Sequence, residues 1–391
     1  MPDTQTTGAQ PPPPPPPPRG PQAAKAYWER VTEGASLEQL WKEFHSDARQ
    51  SYALYSREVN WEKIRAENKP FKRWLQSVWA VFQALLMKLS PARRVLLLAA
   101  MVLVLIPLPA TLGGAYDPSL ARMLAIGATL LFALLALELA DRVTMKRDLE
   151  IAREIQHWLV PEKPPAIPGA ELAFATRPAN TVAGDYYDVL RHPANDEERW
   201  LLVVADVAGK SIPAALLMAT FQASLHTLLT AMPGLSDLVT GINRYACDHS
   251  QDGRRFTTAL FAEYEPLSRK LTYINAGHNA AILRRANGSF EQLSSTGLPL
   301  GIPTPAGVSS YAETTLQLAS GDTLVIFTDG LVEAINAQGL EYGEERLLAA
   351  LRLPVTETAP LLLERLLADV GRFVGETHQQ DDITCLVFRC L

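Results

Sequence analysis

Hydrophobic and polar positions change texture several times along the chain, and each texture predicts a different kind of element. Residues 1–22 are polar and then proline-only, with Pro11 to Pro18 uninterrupted. Such a tract extends as polyproline II and buries nothing, so a disordered tail is expected there. Over 23–92 the apolar residues follow helical spacing without strand alternation. Ser36 ahead of Leu37, Leu40 and Trp41, with Glu38 and Glu43 nearby, predicts a short capped helix. Phe71 to Leu89 places Trp74, Val78, Trp79, Phe82 and Leu85 at helical spacing, with Lys72, Arg73 and Lys88 as its charges. That pattern suits a membrane surface and a protein core equally well.

Two long apolar runs follow, Val95–Gly113 and Leu120–Leu139, interrupted by little more than Arg122 and Glu138. Each approaches the roughly 20 residues that cross a hydrocarbon core as a helix. The short connector around Asp117 makes the pair a predicted transmembrane hairpin over 93–140. Pro107 and Pro109 should bend its first helix, which bilayer-spanning helices tolerate. Lys69, Lys72, Arg73, Lys88, Arg93 and Arg94 precede the hairpin, Arg142, Lys146 and Arg147 follow it, and the connector carries only Asp117. The positive-inside rule then places both flanks in the cytoplasm, as in a multi-pass protein of the inner (cytoplasmic) membrane. No charged start followed by an apolar core marks a signal peptide.

Residues 141–160 read as a charged linker helix. Met145, Leu149, Ala152, Ile155 and Leu159 form a heptad-like stripe that makes a homodimer through this helix a candidate. Pro161, Pro164, Pro165 and Pro168 end it and open a domain over 161–391. There the texture turns to short strands: Trp200–Ala205, Thr258–Tyr264, Lys270–Ile274, Ala280–Arg284, Thr323–Phe327 and Ile383–Arg389. Helices are expected over 213–231, 344–352 and 359–374. Strands in succession with helices in separate blocks predict an α+β domain of antiparallel sheets flanked by helices.

Composition narrows the classes. A net charge of −6 leaves no basic domain for nucleic acid. Cys247, Cys385 and Cys390 show no CxxC or Cys/His spacing, which suits a reducing compartment rather than a disulfide framework.

Candidate chemistry lies in four aspartates, each at the end of an apolar strand or in the turn beside it: Asp185, Asp206, Asp329 and Asp381. Gly184, Gly209 and Gly330 next to them allow tight turns and leave space for a ligand. One Asp-Gly is only a turn signal; four in one domain are carboxylates that would repel one another without a cation. All-oxygen ligation without a His or Cys cluster selects Mn²⁺ or Mg²⁺. Two such ions, about 3.5–4 Å apart, acidify a water and clamp a phosphate ester.

Ordered blocks then carry a specific resemblance. They are Glu150-Ile151-Ala152-Arg153-Glu154-Ile155-Gln156, Ala183-Gly184-Asp185-Tyr186-Tyr187-Asp188, Asp206-Val207-Ala208-Gly209-Lys210, Asn275-Ala276-Gly277-His278-Asn279, Gly297-Leu298-Pro299-Leu300-Gly301, Thr328-Asp329-Gly330-Leu331-Val332-Glu333-Ala334, Gly343-Glu344-Glu345-Arg346-Leu347 and Asp381-Asp382-Ile383-Thr384. Residues 148–391 resemble the PPM-type serine/threonine phosphatases, in their SpoIIE/RsbU-like bacterial branch. The resemblance implies an αββα sandwich with a two-ion Mn²⁺ or Mg²⁺ centre. Asp206 would bridge the ions and the Val207 carbonyl touch one; Asp185 would hold the first ion, and Asp329 and Asp381 the second, with Asp382 able to exchange with Asp381. The implied substrate is a phosphoserine or phosphothreonine protein, such as an anti-sigma-factor antagonist in a partner-switching pathway. Ala208 and Ser211 stand where Ser and Gly are usual, and Ser211 is expected to cap the following helix. Val207-Ala208 supplies no general-acid histidine; His278 is read as a turn residue bonding backbone ahead of that acid role, and Lys210 and Arg177 as solvated ahead of touching substrate phosphate.

The sequence admits two other readings. Ala183-Gly184-Asp185-Tyr186-Tyr187 loosely resembles the signature turn of diguanylate cyclases, which predicts parallel βαβ units. A catalytically weak or inactive membrane signalling scaffold is the non-enzymatic alternative.

Overall fold

The computed structural model describes residues 70–113, 117–192, 198–250, 255–303, 311–352 and 357–391. The proline tract, the Ser36 helix and connector residues 114–116 lie outside them. The chain divides into two compact units, residues 1–140 and 141–391.

In the first unit, α1 (Pro70–Lys88) is followed by α2 (Pro91–Leu105), α3 (Leu108–Leu112) and the start of α4 (Pro118–Leu159), whose residues from Asp141 belong to the second unit. The first apolar run breaks at Ile106-Pro107, where proline cannot continue the ladder. Helices α2 and α4 pack as an antiparallel hairpin. Ala100 is fully buried, and a Cβ on Gly127 would stand 2.7 Å from Val104 Cγ2 and 3.1 Å from Leu103 Cβ. Only a glycine lets the two backbones approach this closely. Arg93 reaches Glu138 at 3.4 Å across the same pair, so the one acidic residue in the second run has a partner. Pro91–Leu112, with mean hydropathy 2.6, and α4, with 2.2, are long and apolar enough to cross a membrane. Helix α4 continues without a break over 42 residues, so the expected hairpin and linker share one helix.

The second unit is a sandwich. Its strands are β1 (Ala170–Arg177), β2 (Tyr186–Arg191), β3 (Trp200–Val207), β4 (Thr257–Glu265), β5 (Lys270–Ala276), β6 (Ala281–Arg284), β7 (Phe290–Leu293), β8 (Thr314–Gln317), β9 (Thr323–Phe327) and β10 (Ile383–Cys390). One sheet has the order β1-β10-β9-β6-β7 and the other β2-β3-β4-β5-β8. Every pairing of these strands is antiparallel. The parallel βαβ units required by the cyclase reading are therefore not what this domain is built from.

Alternate side chains of a strand point to opposite faces, and here both faces are covered. Trp200, Leu202 and Val204 of β3 meet Leu324 and Ile326 of β9 and Leu386 and Phe388 of β10 between the sheets. The opposite set of β3, Leu201, Val203, Ala205 and Val207, packs under α5 (Ser211–Leu229) and α6 (Leu235–Asp248). Val325, Phe327, Cys385 and Val387 pack under α8 (Gly343–Leu351) and α9 (Ala359–Val374), with the short α7 (Asp329–Val332) between β9 and α8. Helix α5 is also apolar enough for a membrane by length and composition, but Ala214, Met218, Phe221 and Leu225 are buried on the sheet. Cys385 and Cys390 are core residues, as expected.

Candidate metal centre

The inward-facing set of each central strand runs on by twos into polar residues at one end of the sandwich. It reaches Asp206 and its cross-strand partner Thr258, then Thr328 just past β9, Thr384 in β10, and Asp185 just before β2. Chemistry therefore sits at a mouth between the two sheets, where the apolar filling stops.

Asp185 is 5% exposed. Thr328 Oγ1 donates to its Oδ2 at 2.9 Å and accepts from the Thr384 amide at 2.9 Å. Thr384 Oγ1 in turn meets Thr176 Oγ1 at 3.0 Å. Burial first, then the Asp206 and Asp382 charges, push the Asp185 carboxyl well above the carboxylate range, against the Thr384 and Thr328 hydroxyls. Asp206 is raised to about 7 by burial and by the charges of Asp329, Asp381 and Asp382. Asp329, opening α7, is raised by burial and then by Asp381. These shifts report carboxylates crowded at low dielectric. Among the described residues, no three acidic, imidazole or thiol side chains stand close enough to share one ion as placed; the carboxylates are near enough to raise one another's pKa.

The two neighbours Asp381 and Asp382 separate clearly. Asp381 is the half-exposed one, 2.9 Å from Lys210 Nζ. Asp382 is buried, and its oxygens accept from the backbone amides of Ala179 (2.7 Å) and Gly184 (2.6 Å), so it fastens the loop that carries Asp185. Gly330 has no room for a side chain: a Cβ would lie 2.1 Å from the Asp382 carbonyl oxygen. On α4, Gln156 holds the same loop from the other side, with Nε2 donating to Ala183 O (2.8 Å) and Oε1 accepting from Ala183 N (3.0 Å).

Three expectations change. Ser211 is no cap: Lys210 holds the N-cap position without a side-chain bond, and Ser211 adopts φ 63°. Lys210 is tied to Asp381 and to the Gln380 carbonyl (2.8 Å) rather than simply solvated. His278 bonds through its side chain, Nδ1 lying 3.0 Å from Thr258 Oγ1; burial lowers its pKa to about 4 and keeps it neutral. Arg177 and Lys210 line a cavity of about 370 Å³ beside Asp381 and Gly330, with Ile335, Val370 and Val374 in its wall.

Sequence reasoning missed Thr328 and Thr384 as supports of Asp185. Their inward register can be read from the strands, but the contact of Thr328 with Asp185, 143 residues away, cannot.

Two antiparallel sheets between helical layers, with carboxylates at one mouth, define a PP2C-like sandwich. Residues 196–391 match Stage II sporulation protein E (SpoIIE), and the chain belongs to that family. It is 30% identical over 196 residues to phosphoserine phosphatase RsbU of Bacillus subtilis (strain 168), covering 50% of this chain and 56% of that protein. Phosphoserine phosphatase RsbP of the same organism is 24% identical, over 49% of this chain and 47% of that one. The chain thus spans about half the length of these curated relatives. The SiaA-PP2C domain of Pseudomonas aeruginosa shares the fold, with a TM-score of 0.56 at 22% identity, covering 64% of this chain and 98% of that one.

Proposed function

We propose that residues 161–391 are a metal-dependent phosphoserine/phosphothreonine protein phosphatase. The observation that carries this is the crowding of Asp185, Asp206, Asp329 and Asp381 at one mouth, with the first three carboxyls raised. Like charges held this way call for a cation, and oxygen donors alone select Mn²⁺ or Mg²⁺. Gly184 fits the assignment: a Cβ there would stand 3.3 Å from the Val207 carbonyl oxygen, so glycine leaves that oxygen open.

Asp185, Asp206, Asp329, Asp381 and the Val207 carbonyl would hold the two ions, with Asp382 adjoining. When bound, such a pair supplies Lewis acidity and a nucleophile at neutral pH. The chain's own residues do the positioning. Thr328 turns Asp185 into the mouth, and Asp382 and Gln156 fix its loop. Lys210 holds Asp381 and brings a positive charge to the opening where a phosphate would dock. His278, buried behind Thr258 with its pKa lowered to about 4, is poorly suited to protonating the leaving group at neutral pH.

The names of RsbU and RsbP support phosphoserine as the target. The family resemblance extends this to a small anti-sigma-factor antagonist. We place α2 and α4 across the inner membrane with the phosphatase in the cytoplasm, and α4 as the site of a homodimer. The test is phosphate release from a phosphoserine peptide by residues 141–391, with and without Mn²⁺. Metal-dependent release lost in Asp206→Asn is expected; an inert wild type would point to the scaffold reading.

A further inference from the structure

Helix α1 carries an aromatic face that the structure leaves open. Phe71 is 72% exposed, Trp74 60%, Trp79 59% and Val78 47%. At about 100° per residue these positions and Phe82 fall on one side of the helix. The rings adjoin along it, Phe71 with Trp74 at 6.2 Å and Trp79 with Phe82 at 5.6 Å. Lys72 and Lys88 flank this face, Arg73 lies opposite, and the helix has no acidic residue.

The helix is also tied to the start of the apolar hairpin. Only Leu89 and Ser90 separate α1 from α2. Arg94, in the first turn of α2, donates through Nε to the Leu89 carbonyl at 2.8 Å and through its terminal nitrogen to the Met87 carbonyl. Met87 lies in the last turn of α1 and Leu89 just past it, where unpaired acceptors favour a cation. The junction is therefore fastened where the chain would enter the bilayer.

We infer that α1 is an interfacial helix that binds anionic phospholipid. Its aromatic face enters the headgroup–acyl boundary beside α2, and Lys72 and Lys88, at the edges of that face, meet acidic headgroups. A second copy of α1 is the poorer occupant, because it would set cations against cations with no acid on either helix to pair them. This inference rests on the proposal that the hairpin spans the membrane.

The test uses the full-length protein in lipid nanodiscs, zwitterionic or part anionic, with bromine placed near either the headgroup end or the methyl end of the acyl chains. The signal is the emission of wild type minus that of a Trp74→Phe/Trp79→Phe variant. A blue-shifted difference spectrum, quenched most by the shallow bromines and more in anionic discs, is expected. Lys72→Gln should weaken that anionic preference about fivefold, the equivalent of roughly 1 kcal/mol per basic residue, and Arg73→Gln, on the opposite side, should weaken it less. Protein that enters the discs but shows water-like, unquenched Trp74 and Trp79 emission would overturn the inference and leave the hairpin standing. Strongest quenching by the deep bromines would also overturn it. Protein that fails to enter the discs would overturn both.

Discussion

Replacing Thr328 by valine keeps the shape of the side chain and removes one hydroxyl. In the folded protein that hydroxyl has two tasks at a fully buried position: it donates to Asp185 Oδ2 at 2.9 Å and accepts from the Thr384 amide at 2.9 Å. The carbonyls of Asp382 and Thr384 are farther acceptors, at 3.4 and 3.5 Å. Losing a hydrogen bond to a carboxylate costs about 1.5–3 kcal/mol, and an orphaned buried amide about 1–3 kcal/mol. The two share one side chain and do not add fully, so about 3 kcal/mol is the expected loss. For a unit of this size that lowers the melting temperature by roughly 6–12 °C. Asp185 also loses a donor that favours its charged form, so Mn²⁺ affinity should fall with stability. Thr328→Ser, which restores the hydroxyl, should recover most of both. The assay is thermal unfolding of residues 141–391 with Mn²⁺ titration of the same samples. If the valine and serine variants melt together and bind Mn²⁺ alike, the hydroxyl does not position Asp185.

Gly330→Ala drives a methyl to 2.1 Å from the Asp382 carbonyl oxygen; overpacking of this kind costs about 1–3 kcal/mol, and phosphatase activity should fall further than stability because Asp329 and Asp381 are both displaced. Gln156→Leu strips both bonds from the Ala183 peptide and should cost about 1–3 kcal/mol, read as a lower melting temperature with weaker Mn²⁺ binding. His192 lies with Nδ1 2.6 Å from Glu263 Oε2 and Nε2 3.0 Å from the Met232 carbonyl oxygen, acceptors that hold both ring protons and, Glu263 foremost, raise its pKa. That stabilisation is complete below the unfolded pKa of about 6.5 and is lost as pH rises through the higher folded value. The urea midpoint should therefore fall on the alkaline side, and His192→Gln should flatten the dependence; parallel slopes would contradict this.

The central strands were legible because both faces are buried. A strand covered on two sides reads as an unbroken apolar run, which is why Trp200–Ala205, Thr323–Phe327 and Ile383–Arg389 stand out. Strands β7 and β8 border the sheets, carry Glu291, Gln292 and Gln317 among their residues, and leave no such run. Strand β2 was hidden inside a motif, and α6 between louder neighbours. The aspartates were legible as acidic residues at the ends of apolar strands or in the turns beside them, whereas their supports were not. Asp382 reaches Gly184 across 198 residues, and Thr328 reaches Asp185 across 143. No local spacing encodes contacts of that range. The cap expected at Ser211 failed because the chain turns through a positive φ there, a backbone choice the residue name does not announce.

The proposed chemistry requires the four carboxylates to hold ions together rather than stand as separate turn residues. Calorimetric titration of residues 141–391 with Mn²⁺ tests this directly, beside the Asp206→Asn variant, since Asp206 is the carboxylate crowded by Asp329, Asp381 and Asp382. Two ions per wild-type chain, with the pair lost in the variant, is the predicted result. Wild-type protein that takes up no Mn²⁺, or an Asp206→Asn variant that binds it undiminished, would contradict the account.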